Sequence, residues 1–297
     1  MRYALAAFLA VVLVGAAVAQ GGSGAPSSPF AFRGGVQLGS DVLPTGASGS
    51  PETWTRLGFQ PDISFGKFGI GVDLTIRMQL FPQDTENAVK IYEGDWIPNE
   101  DKNFLDIYLP KFLYIRYGLK GADPLFAKLG SVNDLTLGNG FIINNYSNMH
   151  FMPELRIFGL DVGFDGNAFN FPYIGLEALT GNLAKLDVVG GRIYVRPLAW
   201  SGIPILKGMQ VGGTAVMDLK PDSYDATTIP AEQIMVMGGD LMVPVLGGKL
   251  FPLAVFADFA MEPNETKGAM LGFGGKLIGL FTYGAQIRYL ERGFIPS

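Results

Sequence analysis

Between Phe68 and Leu80 the run FGIGVDLTIRMQL alternates without a break. Ile70, Val72, Leu74, Ile76 and Met78 fall on one side, and Gly71, Asp73, Thr75, Arg77 and Gln79 on the other. Successive side chains of a β-strand point to opposite faces, so this pattern predicts a strand with one apolar face and one face carrying both signs of charge. The same device recurs in LRIFGLDVGFD, where Asp161 opposes Phe158, Leu160, Val162 and Phe164, and in AKLDVVGGRIYVRP, with Asp187, Arg192 and Arg196. It returns in GMQVGGTAVMDLK (Gln210, Asp218), QIMVMGGDLMV (Asp240), PLAVFADFAME (Asp258) and LFTYGAQIRYLE (Arg288). Glycines crowd these segments, which suits a curved sheet whose backbones approach closely.

The connections sort by length. Gly66-Lys67, the DGNA at 165–168 and the VLGGK around Gly247 are short; 40–54, 81–104, 133–154, 220–232 and 261–267 are long. Barrels of the bacterial outer membrane alternate tight turns at one end with long loops at the other, so the expected fold is all-β, a transmembrane antiparallel up-and-down β-barrel. Its connections and segments allow roughly 13 strands, within about 12–14. An odd count leaves the last segment, 280–291, without a closing partner, and the ending Phe294-Ile295-Pro296-Ser297 lacks the usual terminal aromatic residue. A truncated form of a longer barrel is therefore one expectation, and a merged or split hairpin the other. Trp54, Phe65, Phe68, Phe81, Tyr117, Phe171, Tyr173, Trp200 and Phe251 fall near predicted strand ends, where interfacial girdles collect aromatics.

Composition narrows the class. Gly reaches 41 residues, aromatics 12% and charged residues only 16%, with a mean hydropathy of +0.26. No uninterrupted apolar stretch after the first twenty residues is long enough to span a bilayer as a helix, which needs about 20 residues. An apolar chain without such a helix is either a soluble protein with a very large core or a barrel that turns its apolar side chains to lipid.

The N-terminal MRYALAAFLAVVLVGAAVAQ places Arg2 before an apolar run and ends it with Ala17-Val18-Ala19. That is the pattern of a secretory signal peptide, so residues 1–19 are expected to be removed, 20–29 to be a flexible segment and 30–297 to form the barrel. Removing Arg2 takes the formal charge from −5 to −6, which argues against a nucleic-acid partner. Cys is absent, which excludes a lipidated cysteine, disulfides and thiolate chemistry.

Candidate chemistry is sparse. His150, the sole histidine, sits in NNYSNMHF beside Ser147 and several asparagines, types that a hydrolase could combine as base, nucleophile and orienter. No Gly-x-Ser-x-Gly elbow occurs, and the three types share one loop, so a polar loop is the reading and no catalytic residue is expected. Transition metals want clustered His or Cys, and the acidic 81–104 connection (Asp84, Glu86, Glu93, Asp95, Glu100, Asp101) lacks the spacing of a calcium loop, so neither metal nor cofactor is expected. That connection reads as solvated external surface.

The constellation with functional content is the set of charges that alternation turns away from lipid: Asp73, Arg77, Asp161, Asp187, Arg192, Arg196, Asp218, Asp240, Asp258 and Arg288. Facing inward, they either line a water-filled pore or pair with each other and close it. The stretch NDLTLGNGFIINNYSNMHFMPELR is long and apolar for an external loop. It either folds inward as a constriction, offering Asn139, Asn144, Asn145 and Asn148 to a solute, or adds a hairpin, 135–143, to the wall.

The run KGADPLFAKLGSVNDLTLGNGFIINNYSN from Lys120 to Asn148, with the preceding IYLPKFLYIRYG, resembles a segment of porin-like bacterial outer-membrane β-barrel proteins of a functionally unassigned family. The resemblance implies an outer-membrane location and a barrel, and brings no catalytic residues. The expectation is an outer-membrane channel for passive passage of small solutes or ions. The alternative is a plugged structural or adhesive barrel whose external loops bind partners. Outer-membrane lipid and small solutes or ions are the expected partners, and oligomeric state is not legible.

Overall fold

The computed structural model describes residues 30–44, 51–80, 89–100, 102–150, 156–221, 233–248, 250–263, 266–278 and 281–294. The expected signal peptide, the 20–29 segment and residues 81–88 of the acidic connection lie outside the described residues. Two compact units divide the chain, Met1–Ile115 and Arg116–Ser297. The architecture is an antiparallel up-and-down β-sheet with fifteen strands among the described residues. No described helix is long and apolar enough to cross a membrane.

The first unit holds β1 (Phe30–Pro44), β2 (Pro51–Phe65), β3 (Phe68–Val72), β4 (Ile76–Leu80) and β5 (Val89–Ile91). β1 pairs with β2 over its whole length, so residues 40–44, expected in a connection, extend the strand instead. β3 and β4 lie on the other edge of β2 in one continuous register, Asp62 opposite Gly71 and Leu57 opposite Ile76. The strand expected from 68 to 80 is interrupted at residues 73–75 because Asp73 Oδ1 accepts from the backbone N–H of Thr75 at 3.0 Å and from its hydroxyl at 2.5 Å. Such local side-chain bonds compete with the ladder. Leu74 N still donates to Phe59 O at 2.8 Å, so the arm stays attached through its break. This interruption and β5, which pairs with β4, supply two strands beyond the roughly 13 expected from average spacing.

Residues 89–100 and 102–111 correct the reading of a solvated loop. The indole N–H of Trp96 donates to Thr75 O at 3.1 Å, and Tyr108 donates to Trp96 O at 2.9 Å. Helix α1 (Phe104–Tyr108) starts in a capping box, with Asn103 and Asp106 exchanging bonds with each other's backbone N–H. Glu93 and Glu100 stay exposed, whereas Asp95 is drawn into an ion pair with Arg77 at 2.7 Å. Ile76 is buried where alternation put it outward, and Trp54 is 2% exposed and edge-on to Tyr92, so it is no girdle residue.

The division between units falls inside β6 (Phe112–Tyr117). The second unit continues with β7 (Leu125–Gly130), β8 (Gly159–Asp165), β9 (Ile174–Thr180), β10 (Val188–Val195), helix α2 (Pro204–Lys207), β11 (Gln210–Asp218), β12 (Ile234–Leu246), β13 (Leu253–Met261), β14 (Lys267–Leu277) and β15 (Phe281–Leu290). From β7 to β15 each strand pairs antiparallel with the next. The registers decide the faces. From β10 to β15 odd-numbered residues oppose odd ones, as in Val211 with Leu241, Val255 with Phe273 and Leu271 with Ile287.

That odd-numbered face is apolar and bare: Ile193, Val195, Val211, Leu241, Val255, Phe259, Leu271, Phe273 and Ile287 are all exposed. A soluble monomer does not leave so continuous an apolar face to water. The even-numbered face carries Arg192, Thr214, Asp240 and Asp258, all buried. Burial and polarity are thus inverted relative to a soluble sheet, where the apolar face would be covered.

What covers the polar face is residues 131–148. Val132, Leu135, Leu137, Phe141, Ile142 and Ile143 pack with Leu179, Val216, Val236, Ala260, Met270 and Phe294 in one apolar cluster. The segment has turn geometry, with one antiparallel bridge, Leu135 to Tyr146, and a bond from Leu137 N to Ile143 O at 3.4 Å. A wall hairpin at 135–143 is therefore not formed.

Candidate functional site

The site is the polar face of β8–β14 with the 131–148 segment seated on it. Its centre is built by three neighbouring strands. Arg192 on β10 reaches across β11 to Asp240 on β12, its Nε and Nη2 lying 2.9 and 2.6 Å from the two carboxylate oxygens. Glu177 on β9, opposite Arg192 in register, lies 3.5 Å from Nη1. The Arg192 and Asp240 side chains are 3% and 4% exposed, so the pair stands largely out of water, where two-point geometry and complementary bonds decide whether it holds.

Two glycines make room for it. Gly212, opposite Asp240 on β11, leaves the space through which the guanidinium passes; a Cβ there would stand 2.5 Å from Asp240 Oδ2 and 2.8 Å from Arg192 Nε. Gly138, at the tip of the seated segment, has φ +57°, and its Cβ would lie 2.9 Å from Arg192 Nε. Its N–H donates to Glu177 at 3.3 Å.

Asp258 lies directly opposite Asp240 across β12 and β13. Like charges so placed repel, and the two carboxylates are separated by different partners, Arg192 for Asp240 and the Asn139 amide, at 3.1 Å, for Asp258. Asn139 also donates to Leu241 O at 3.4 Å. The tip of the segment is therefore tied to three strands by polar contacts and to the sheet by its apolar cluster.

The other expected residues scatter. Arg77 is held between Asp41 and Asp95, both at 2.7 Å. Asp73 serves the turn at 73–75. Asp161 is buried and accepts from Lys120 at 2.9 and 3.0 Å, while Lys120 also donates to Thr136 O at 3.0 Å. Arg196 makes a two-point pair with Asp165, at 3.1 and 2.5 Å, and Tyr194 donates to the same carboxylate at 2.8 Å. Asp187 is buried just before β10; Asp218, ending β11, accepts from Lys220 N at 3.1 Å. Arg288 sits on β15, exposed, with its guanidinium 5.8 Å from the Phe141 ring centre.

The four asparagines divide. Asn139 reaches the charges, and Asn144 and Asn145 are exposed. Asn148 is 4% exposed and spends its amide on backbone, accepting from Val132 N at 2.9 Å and donating to Gly181 O, Ile157 O and Gly130 O. It is a structural staple, not a group offered to solute. His150 is exposed, and Ser147 Oγ accepts from Met149 N at 3.1 Å. Among the described residues no group of three or more His, Asp or Glu is placed to hold a metal ion.

Sequence reasoning missed Asp41, Asp95, Lys120, Asp165 and Glu177. Of these, Glu177 had a usable signal, since it alternates with Leu176 and Ala178 in IGLEALT. The others stand in segments whose composition reads as connection.

No protein-family model matches the chain, and no curated protein matches it. Among solved structures, an anion-selective porin from Comamonas acidovorans aligns with 84% of this chain and 85% of its own, at 11% identity and a TM-score of 0.29.

Proposed function

We propose that this chain forms an outer-membrane β-barrel channel for passive passage of small solutes or ions, narrowed by the 131–148 segment. The observation that carries the reading is the inversion of faces from β10 to β15: exposed Ile193, Leu241, Phe259 and Leu271 on one side, buried Arg192, Asp240 and Asp258 on the other. Lipid solvates the first face and the polar interior of a barrel accommodates the second. In this reading Asp161, Arg192, Asp218, Asp240, Asp258 and Arg288 line the passage. Both signs are present, and Asp161, Arg192 and Asp240 are held in ion pairs, so selectivity between ions is weak.

Reconstitution of the full chain into planar bilayers tests this. Discrete conductance steps are expected; a folded preparation that stays electrically silent counts against a channel. A plugged structural barrel is the second reading, favoured by the apolar cluster under the 131–148 segment. Replacing 137–143 with a short Gly-Ser turn separates the two: a channel gains conductance over a nonzero start, whereas a plugged barrel conducts only after the replacement.

A further inference from the structure

The 131–148 segment is closed at its base by two residues, and the wall is shaped around both. Asn148 accepts from Val132 N at 2.9 Å through its side chain, while its own backbone N–H donates to Val132 O at 3.0 Å. The two ends of the segment are thereby joined. Further in, Leu135 and Tyr146 exchange backbone bonds at 2.9 and 3.1 Å. The Asn148 amide nitrogen faces Gly181 O at 2.9 Å, Ile157 O at 3.2 Å and Gly130 O at 3.4 Å, so it reaches the end of β7, the approach to β8 and the end of β9 at once.

Gly181 serves both residues. Its carbonyl takes the Asn148 amide, and its missing side chain leaves the space that Tyr146 fills: a Cβ there would fall on the Tyr146 hydroxyl and lie 2.9 Å from Cζ of the ring. Gly159, which opens β8, gives way in the same manner, since its Cβ would stand 2.8 Å from Asn148 Nδ2. Close packing therefore fixes where the base sits. Beyond the base, a Cβ at Gly190 would meet Leu137 at 3.3 Å and one at Gly238 would meet Ile142 at 3.0 Å, so the wall follows the segment as far as β12.

We propose that Tyr146 and Asn148 are the positioning residues of the constriction: the notch they occupy at Gly159 and Gly181 sets how far the segment reaches over the polar face, and with it the aperture. Neither side chain has to meet the solute. They act through the segment they hold, whose residues Asn133, Asp134, Asn144 and Asn145 are exposed. The link to an aperture rests on the channel reading, but the fixing of the segment does not.

Amide hydrogen exchange, read by mass spectrometry on the full chain in detergent micelles, tests the fixing. The three atoms nearest to a Cβ at Gly181 all belong to Tyr146, so Gly181→Ala displaces that ring first. Exchange at residues 132–148 should rise by about tenfold or more, while β12 stays as protected as in the wild type. Adding Tyr146→Leu to Gly181→Ala withdraws the outer ring atoms and should bring exchange back toward the wild-type rate, a coupling that independent damage would not give. Asn148→Ala should speed exchange over the same residues, and the Gly181 pair of variants carries the test should Asn148→Ala fail to fold. Wild-type exchange at 132–148 in Gly181→Ala, or a double variant faster than the single one, overturns the proposal. In planar bilayers Gly181→Ala should alter the size of each conductance step and not only the number of channels that insert; a step of wild-type size overturns the link to the aperture. A silent wild type sinks the channel reading instead, and exchange in micelles still decides whether the two residues position the segment.

Discussion

Arg192 and Asp240 sit two strands apart and meet over Gly212, the residue between them on β11, with 2.9 and 2.6 Å contacts to the two carboxylate oxygens. The contact depends on a missing side chain. Replacing Gly212 with Ala puts a Cβ 2.5 Å from Asp240 Oδ2, and overpacking of this kind costs about 1–3 kcal/mol. Urea unfolding in liposomes of Gly212→Ala against Gly213→Ala, whose Cβ meets nothing closer than 4.0 Å, should show the loss only in the first.

The pair itself is expected to be costly to break and cheap to replace. Asp240→Ala leaves the buried guanidinium with only the longer 3.5 Å contact to Glu177, a loss of up to about 3–5 kcal/mol, whereas the double variant Arg192→Met with Asp240→Leu should recover most of it. Equal losses in the single and double variants would mean that the ion pair stabilises the sheet in its own right.

Asp258 gives a prediction of opposite sign. It faces Asp240 directly and accepts a hydrogen bond from the Asn139 amide. Asp258→Asn removes a like-charge pair and keeps an acceptor for Asn139, so stability should rise by up to about 1 kcal/mol. A fall of that size in the same unfolding assay would contradict the assignment.

These three residues also mark how far the sequence could be read. Arg192, Asp240 and Asp258 stand out as polar members of alternating strands, because period two is a local property that a dozen residues display. Their partnership is not local. It depends on the registers that place Gly212 opposite Asp240 and Asp258 beyond it, and on a segment from 131 to 148 that arrives from elsewhere in the chain. The sequence offered two fates for that segment, and only three-dimensional packing of Leu137, Phe141 and Ile143 against Val216, Val236 and Met270 separates them. Asp41 and Asp95 were hidden because acidic residues in apparent connections look solvated; the registers of β1 on β2 and of β4 on β2 bring Asp41 to Arg77, and the docking of Trp96 brings Asp95.

Asp95 makes the docked residues around Trp96 sensitive to pH. Burial raises its carboxyl above the ordinary 3.8, with Arg77 and Lys111 acting in the opposite direction. Lys111 is itself lowered from 10.5 by burial, partly offset by Asp95. A raised carboxyl binds its proton more tightly in the folded state, so its contribution is fully present below 3.8 and is lost as pH rises through the folded value. Thermal midpoints of the native chain should therefore fall relative to Asp95→Asn as pH is raised from 3.8; a gap that stays constant with pH would contradict the burial of this carboxyl.

The bare apolar face predicts its own cost. Leu271 is 55% exposed in the middle of that face, and if the face meets lipid, as proposed, an Arg placed there enters hydrocarbon at a cost of about 2–4 kcal/mol. Leu271→Arg should lower folding yield into liposomes sharply. The same variant folding normally would place Leu271 in water.

Because the chain has no Cys, single cysteines can be introduced along β13 and labelled with a fluorophore in proteoliposomes. Brominated lipid should quench probes at positions 255, 257, 259 and 261 and spare those at 256, 258 and 260, a two-residue oscillation in contact with hydrocarbon. Quenching without that oscillation, or by aqueous iodide at the odd positions, would mean that the oily face does not meet lipid.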